Sequence, residues 1–236
     1  MAKRGIITID GPAGAGKSTV GRILARSLGY LYLDSGSLYR AVAWQAGRRG
    51  VELHDPQALD AFLKDFQPEV AADDAGFHVK IDGREVSQEL RLPWVSRGAS
   101  QVAVLANVRA WVKDHLRYLA RNQGVVAEGR DQGTAVFPEA ACKFYLTADL
   151  ATRARRRLQD WQKDGPLPPL EEIMAELAAR DRQDETRNEA PLRVPEDAVV
   201  VDTTHLTIDE VVNQCLVRSG NALDHGRHGH KSCKIV

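Results

Sequence analysis

The chain has 236 residues, enough for one or two domains with a real hydrophobic core. Its 32 basic and 32 acidic side chains cancel, which argues against a nucleic-acid-binding or membrane-adsorbing surface, and no apolar run reaches the length of a membrane span. Three widely spaced cysteines, Cys142, Cys215 and Cys233, show no zinc spacing and read as reduced thiols of a cytoplasmic protein, and Met1-Ala2-Lys3-Arg4 leads into the first strand with no room for a signal peptide.

In chain order, Ile6 to Asp10 reads as a short buried strand. Gly11-Pro12-Ala13-Gly14-Ala15-Gly16-Lys17-Ser18 follows and fits the P-loop pattern G-x-x-x-x-G-K-[ST] at every fixed position. Val20, Ile23, Leu24 and Leu28 then fall on one face of a helix. Glycines let the backbone wrap a triphosphate with its amide N–H groups pointing at the anion. Residues Gly11 to Thr19 are therefore the expected nucleoside triphosphate site. Lys17 would reach the β- and γ-phosphates, and the Ser18 hydroxyl would ligate Mg²⁺.

A second strand, Tyr30 to Asp34, leads into Asp34-Ser35-Gly36-Ser37-Leu38-Tyr39-Arg40, which opens a helix. Ser35 and the free N–H groups there can hold an anion, with Arg40 one turn in. Asp34 either orders the waters of the magnesium ion or simply caps the helix, and the sequence leaves both open. Residues 62–100 break the strand–helix rhythm. Phe77 to Ile81 alternates as a strand, Asp82-Gly83 is a tight-turn signal, and Arg84-Glu85-Val86 returns, so an antiparallel hairpin is expected there, as a substrate-side lobe or as surface decoration.

Val125 to Glu128, Lys143 to Thr147 and Ala198 to Asp202 complete five strands separated by helical patterns. The predicted fold is α/β, a three-layer P-loop arrangement with a five-stranded parallel sheet. Ligands of such sheets bind at the carboxyl ends of the strands, where Asp10-Gly11, Asp34-Ser35 and Gly129-Arg130-Asp131 fall. The basic stretch 153–165 ends in Gly165-Pro166-Leu167-Pro168-Pro169, and a new helix starts at Leu170, giving a charged helical hairpin that reads as a mobile lid or a solvated face. Arg180, Asp184 and Arg187, four and three apart, are expected on one helical face. Together with Arg40 and Arg130 they bring several arginines to one sheet edge, which suits a second phosphate and a transferring phosphoryl group better than ATP hydrolysis alone. The tail carries His225, His228, His230 and Cys233 and reads as a flexible terminus rather than a metal site.

Several of these segments together resemble the bacterial cytidylate kinases: Ile7 to Lys17, Asp34 to Arg40, Ala99-Ser100-Gln101-Val102-Ala103, Val108-Arg109, Glu128 to Pro138, and the Arg180, Asp184, Arg187 set. The resemblance runs from about Ile6 to Val217, and its most specific part is Glu128-Gly129-Arg130-Asp131-Gln132-Gly133-Thr134-Ala135-Val136-Phe137-Pro138. It implies transfer of the γ-phosphoryl of ATP to CMP or dCMP. Ser100, Arg109 and Asp131 match positions that read the cytosine ring, Arg180 and Asp184 those that hold the pentose, and Arg40, Arg130 and Arg187 those that hold the CMP phosphate, with Ser35 beside them. It further implies a kinase core of residues 1–61 and 101–220, a nucleoside-monophosphate-binding insert at 62–100 and a lid at 153–169 containing Arg153, Arg156 and Arg157; the flexible tail at 221–236 lies outside the resemblance.

The chemistry agrees with that resemblance. A carboxylate such as Asp131 accepts from the N4 amino group of cytosine, and uracil would present an oxygen instead. Leaving the carboxylate unpaired costs about 1–3 kcal/mol, so cytosine should win by at least tenfold. CMP attacks the γ-phosphorus in line, while Mg²⁺, Lys17 and the arginines Arg130, Arg157 and Arg187 offset charge on the moving group. Closure of lid and insert would exclude water. The expected substrates are ATP, CMP and dCMP, with no nucleic-acid or membrane partner, in a monomer. A kinase for UMP, AMP or shikimate, and a nucleotide switch without a second substrate, are the competing readings; the Ser100, Arg109, Asp131 set argues against the first, and the lack of an N-K-x-D guanine motif against the second.

Overall fold

The computed structural model describes residues 5–73, 76–161 and 168–225, with the side chains of 72, 73, 160, 161 and 221–225 left out of the description. The histidine-rich tail beyond residue 225 and residues 162–167, which hold the first part of the Pro-rich piece, lie outside the described residues.

The strands are β1 (Ile6–Asp10), β2 (Leu31–Asp34), β3 (Glu69–Asp73), β4 (Gly76–Ile81), β5 (Arg84–Glu85), β6 (Val125–Gly129), β7 (Cys142–Thr147) and β8 (Val199–Asp202). The helices are α1 (Lys17–Leu28), α2 (Ser35–Arg48), α3 (Pro56–Asp65), α4 (Pro93–Val102), α5 (Ala106–Leu119), α6 (Leu150–Trp161), α7 (Leu170–Thr186) and α8 (Ile208–His225). Five strands form one parallel sheet in the order β2-β6-β1-β7-β8, as the alternation of strand and helix predicts. Its central strands are near-continuous apolar runs because helices cover both faces; Ile7, Ile9, Val125, Val126, Ala127, Phe144 and Leu146 are all fully buried.

In register, Asp10 lies beside Gly129 and Tyr145, and Asp34 beside Glu128. This pairing brings the P-loop, the start of α2 and the Glu128–Asp131 loop to one edge of the sheet. Local chemistry fixes the ends of the elements around that edge. Gly29 takes the left-handed conformation and closes α1 with its N–H on the Ala25 and Arg26 carbonyls. Asp34 caps α2. Asp149 accepts from Thr152 N (2.8 Å) and Thr152 Oγ1 (2.7 Å) at the start of α6. Thr207 and Glu210 exchange bonds as a capping box at α8.

The hairpin expected at residues 77–86 is present, turning at Asp82-Gly83, and it has a third strand that the sequence reading missed. β3 pairs antiparallel with β4, giving the order β3-β4-β5, and this small sheet packs on β2 and α2. Glu69-Val70-Ala71-Ala72-Asp73 lacks the β-branched and aromatic enrichment by which strands are read. Position 62 falls within α3, and α4 packs chiefly on α2. A second, smaller core of Ala13, Ala154, Ile173 and Leu177 joins the P-loop to the α6–α7 hairpin.

One placement differs from the sequence reading. α7 ends at Thr186, and Arg187 is its C-cap with extended backbone (φ −61°, ψ 145°), so Arg180, Asp184 and Arg187 do not share a helical face. Arg187 turns back instead. Its Nε and Nη2 donate to the Ala190 carbonyl (2.9 and 2.6 Å), which Ala190 presents from a left-handed conformation (φ 44°). Its Nη1 lies 3.4 Å from Asp184 Oδ1, so the side chain still reaches the last turn of α7.

Candidate active site

The P-loop has the backbone that an anion cradle needs. Gly11, Gly14 and Gly16 have φ of 142°, 78° and 87°, and a Cβ on Gly11 would overlap the Leu146 carbonyl. Gly16 is the left-handed residue from which α1 starts, so the first N–H groups of α1 face the loop. Lys17 is buried, and its Nζ donates to the Pro12 carbonyl (2.7 Å) across the mouth of the loop. Burial and the neighbouring Arg130 push the Lys17 amine down to about 7. A triphosphate at the loop would supply the negative charge that this ammonium lacks.

Beside the loop, the exposed Ser18 hydroxyl donates to Glu128 Oε1 (2.6 Å), and the Tyr32 hydroxyl reaches the same oxygen (3.2 Å). Burial and the nearby Asp34 raise the Glu128 carboxyl. The sequence alone assigns Glu128 no role. The signal was its position at the carboxyl end of a central strand, immediately before Gly129-Arg130-Asp131. A hydroxyl and a carboxylate side by side next to a phosphate cradle are hard oxygen donors of the kind that Mg²⁺ takes. Among the described residues no group of three or more His, Cys, Asp or Glu side chains is placed to hold a metal ion. Asp34 accepts from Ser37 N (3.0 Å), Ser37 Oγ (2.6 Å) and Arg40 Nη2 (2.9 Å), so it is the cap of α2. Ser35 Oγ is committed to the Glu128 carbonyl (2.8 Å).

Asp10 is fully buried and accepts from the backbone N–H groups of Gln132 (2.8 Å) and Gly133 (2.7 Å). Burial raises its carboxyl to about 7, against the pull of these two N–H groups. The contact ties the end of β1 to a single π-type turn, Gln132–Val136, in which Val136 N donates to the Asp131 carbonyl (3.1 Å). Such turns recur at functional sites, and this one fixes where Asp131 points.

Asp131 and Arg109 form a buried ion pair. Arg109 also donates from Nη1 to the Ala103 carbonyl (2.9 Å), and its guanidinium carbon lies 5.8 Å from the centre of the Tyr39 ring. Burial works against the Arg109 cation, but Asp131 overcomes it and holds the pKa above the usual value. Ser100 lies in α4; its hydroxyl donates to Ser96 O (3.3 Å), and its own carbonyl accepts from Gln183 Nε2 of α7 (3.0 Å).

On the other side, Arg130 Nε donates to Asp184 Oδ2 (2.8 Å), and Arg187 Nη1 lies 3.4 Å from Asp184 Oδ1. Burial raises the Asp184 carboxyl, and Arg130 and Arg180 more than reverse this, holding it below the usual carboxylate range. Burial and Arg130 press the Arg180 cation down to about 10, with smaller contributions from Arg157 and Arg40. Both Arg40 Nε and Arg180 Nε are buried with no hydrogen-bond partner among the described residues. Buried donors left without partners, in a cluster where cations outnumber carboxylates, are what a site for a multivalent anion contains.

The expected lid arginines divide. Arg153 is buried and bonded to Ala148 O, Ala13 O and Asp181 Oδ2 (3.0, 3.2 and 2.6 Å). Arg156 is bonded to Thr203 Oγ1 and O (2.9 and 2.6 Å). Both are framework, clamping the P-loop and the end of β8. Arg157 reaches Glu176 Oε1 of α7 (3.0 Å), and its charge bears on Arg180.

The chain is similar to known proteins. The chain is similar to the "Cytidylate kinase" of Ligilactobacillus salivarius (strain UCC118), at 42% identity over 92% of this chain and 96% of that protein. It is similar at 44% identity, over 90% of its length, to the "Bifunctional pantoate ligase/cytidylate kinase" of Prochlorococcus marinus (strain MIT 9313), and that match spans 42% of the relative's length. A solved structure of an uncharacterized protein from Eubacterium ventriosum ATCC 27560 aligns with a TM-score of 0.52 over 91% of this chain and 98% of that one, at 11% identity, a likeness of fold. The sequence model of the cytidylate kinase family matches residues 7–219, and the chain belongs to the cytidylate kinase family.

Proposed function

We propose that the protein transfers the γ-phosphoryl group of ATP to CMP or dCMP, giving ADP and CDP or dCDP. The observation that carries this reading is the single sheet edge shared by a P-loop, a buried Arg109–Asp131 pair and the cluster of Arg130, Arg180 and Arg187 around Asp184, with the Arg40 charge bearing on Arg180. A site for the triphosphate, a site for a base with an amino donor, and a cationic site for a second phosphate lie side by side.

In this reading Gly11 to Thr19 wrap the triphosphate, and Lys17 exchanges the Pro12 carbonyl for phosphate oxygens. Ser18, with Glu128 beside it, would hold Mg²⁺, which when bound neutralises phosphate charge. Asp131 accepts from the cytosine N4 amino group, with Arg109 and Ser100 facing the ring acceptors. Arg180 and Asp184 hold the pentose, and a grip on the 3′-hydroxyl serves both sugars. Arg40, Arg130 and Arg187 hold the CMP phosphate, and Lys17, Arg130, Arg187 and Arg157 stabilise the moving phosphoryl group. No general base is required, because a phosphate monoester is mostly deprotonated near neutral pH.

The remaining expectations belong to this proposal. The insert at 62–100 would bind the monophosphate side and the hairpin at 153–169 would act as a lid. A cytoplasmic monomer completes the proposal. No described helix is long and apolar enough to cross a membrane. Phosphorus NMR of MgATP and CMP with the protein tests the reaction. The γ-phosphorus signal should decay as a CDP β-phosphorus signal grows; release of inorganic phosphate alone would contradict it.

A further inference from the structure

Asp34 carries more than a helix cap. Its Oδ2 accepts from both Ser37 Oγ (2.6 Å) and Arg40 Nη2 (2.9 Å), and the same Nη2 donates to Ser37 Oγ (2.9 Å). One corner of the Arg40 guanidinium is thus bound to a carboxylate and a hydroxyl from the start of its own helix. Gly36 permits this approach. A Cβ there would lie 3.1 Å from Asp34 Oδ1 and 3.3 Å from Arg40 Nη1. The neighbouring Nε, on the same edge of the guanidinium, is different. Arg40 Nε is buried and has no hydrogen-bond partner among the described residues, and the Arg40 charge bears on Arg180, whose own Nε is in the same condition.

The guanidinium is rigid and planar, so a bond at one nitrogen orients the N–H groups of the others. Holding Nη2 fixes the plane of the guanidinium and leaves the adjacent Nε–H to meet a ligand oxygen. A carboxylate so close to a phosphate site also repels the incoming dianion. It is tolerable only if orienting Arg40 outweighs that repulsion.

We propose that Asp34 is a positioning residue that acts through Arg40, aiming its Nε–H at the phosphate of the acceptor nucleotide. This rests on the reading of the site as a CMP phosphotransferase.

The test is calorimetric titration of CMP into the full chain without ATP or magnesium, so that binding is read apart from turnover. Asp34→Asn keeps a good N-cap but replaces one carboxylate oxygen by an amide that cannot accept from Nη2. Asp34→Ser is a second capping residue, too short to reach Arg40, for use if the asparagine variant does not fold. Either should weaken CMP binding about tenfold, the scale of a lost charge-assisted hydrogen bond. In an Arg40→Gln background the same change should cost less than about twofold, because the residue through which Asp34 acts is gone. The Mg²⁺ concentration for half-maximal rate should not move.

Unchanged or tighter CMP binding in Asp34→Asn overturns the proposal, as does an equal loss in the Arg40→Gln background. A shifted Mg²⁺ requirement with normal CMP affinity overturns it in favour of a metal role. A wild-type chain that binds no CMP overturns the functional reading as well, which separates the two failures.

Discussion

Arg130 and Asp184 stand 54 positions apart and meet at 2.8 Å, where the end of β6 faces the last turns of α7. The bond does two jobs. It seats one carboxylate among Arg130, Arg180 and Arg187, and it joins the loop that carries Asp131 to the helix expected to hold the pentose. Replacing Asp184 by Asn should lower kcat/KM for CMP by roughly 10–100-fold, from loss of a charged hydrogen bond. Removing the carboxylate altogether, as Asp184→Ala, leaves buried cations uncompensated and should cost about 3 kcal/mol of stability. Steady-state kinetics and chemical denaturation read the two effects separately.

Arg109 and Asp131 make the analogous prediction for base choice. Asp131→Ala should lose most of the preference for CMP over UMP, with a change of at least about tenfold in the ratio of kcat/KM. The stranded Arg109 should also lower stability by about 3 kcal/mol. A variant with unaltered CMP preference would remove Asp131 from base recognition.

The arginines of α6 should separate by experiment as they do by contact. Arg153→Met removes a buried guanidinium that holds Ala13, Ala148 and Asp181, so the P-loop should loosen, with a loss of about 3 kcal/mol in stability and a raised KM for ATP. Arg157→Ala should change stability by less than about 1 kcal/mol, as expected for its exposed partner Glu176, while lowering kcat more than KM. Equal effects on stability would contradict the division into framework and reactive arginines.

Asp10 gives a dependence on pH. Its folded-state pKa, raised to about 7, lies above the unfolded value of 3.8, so between those values the folded chain holds a proton that the unfolded chain has released. The contribution of Asp10 to stability is therefore greatest below pH 3.8 and falls by up to about 1.4 kcal/mol per pH unit until pH 7. Comparing wild type with Asp10→Asn by denaturant melts between pH 5 and 8 should show the wild-type advantage shrinking as pH rises and levelling above 7. A gap that stays constant from pH 5 to 8 would show Asp10 to be ionised in the fold throughout.

Much of this was readable in the sequence for identifiable reasons. The five parallel strands are apolar runs punctuated by helical periods. The P-loop declares itself because its glycines are required by positive φ at Gly11, Gly14 and Gly16. β3 was missed because Val70 is its only β-branched residue and small alanines give no alternation to read. Arg187 was misplaced on a helical face because spacing shows where helical residues would point but not that the helix stops at Thr186. Glu128 was passed over because its neighbours Ser18 and Tyr32 come from positions 110 and 96 residues away. The framework roles of Arg153 and Arg156 were hidden for the same reason. A basic helix face looks the same in sequence whether its cations meet substrate or the carbonyls of a neighbouring loop.

The most direct test of the central claim is a coupled ADP-release assay with MgATP and CMP, dCMP, UMP or AMP as acceptor, run beside Asp131→Ala. Fast turnover with CMP and dCMP, poor turnover with UMP and AMP, and loss of that selectivity in the variant are the predicted result. ADP release at the same rate with every acceptor, or with none, would contradict it and leave a nucleotide hydrolase without a second substrate.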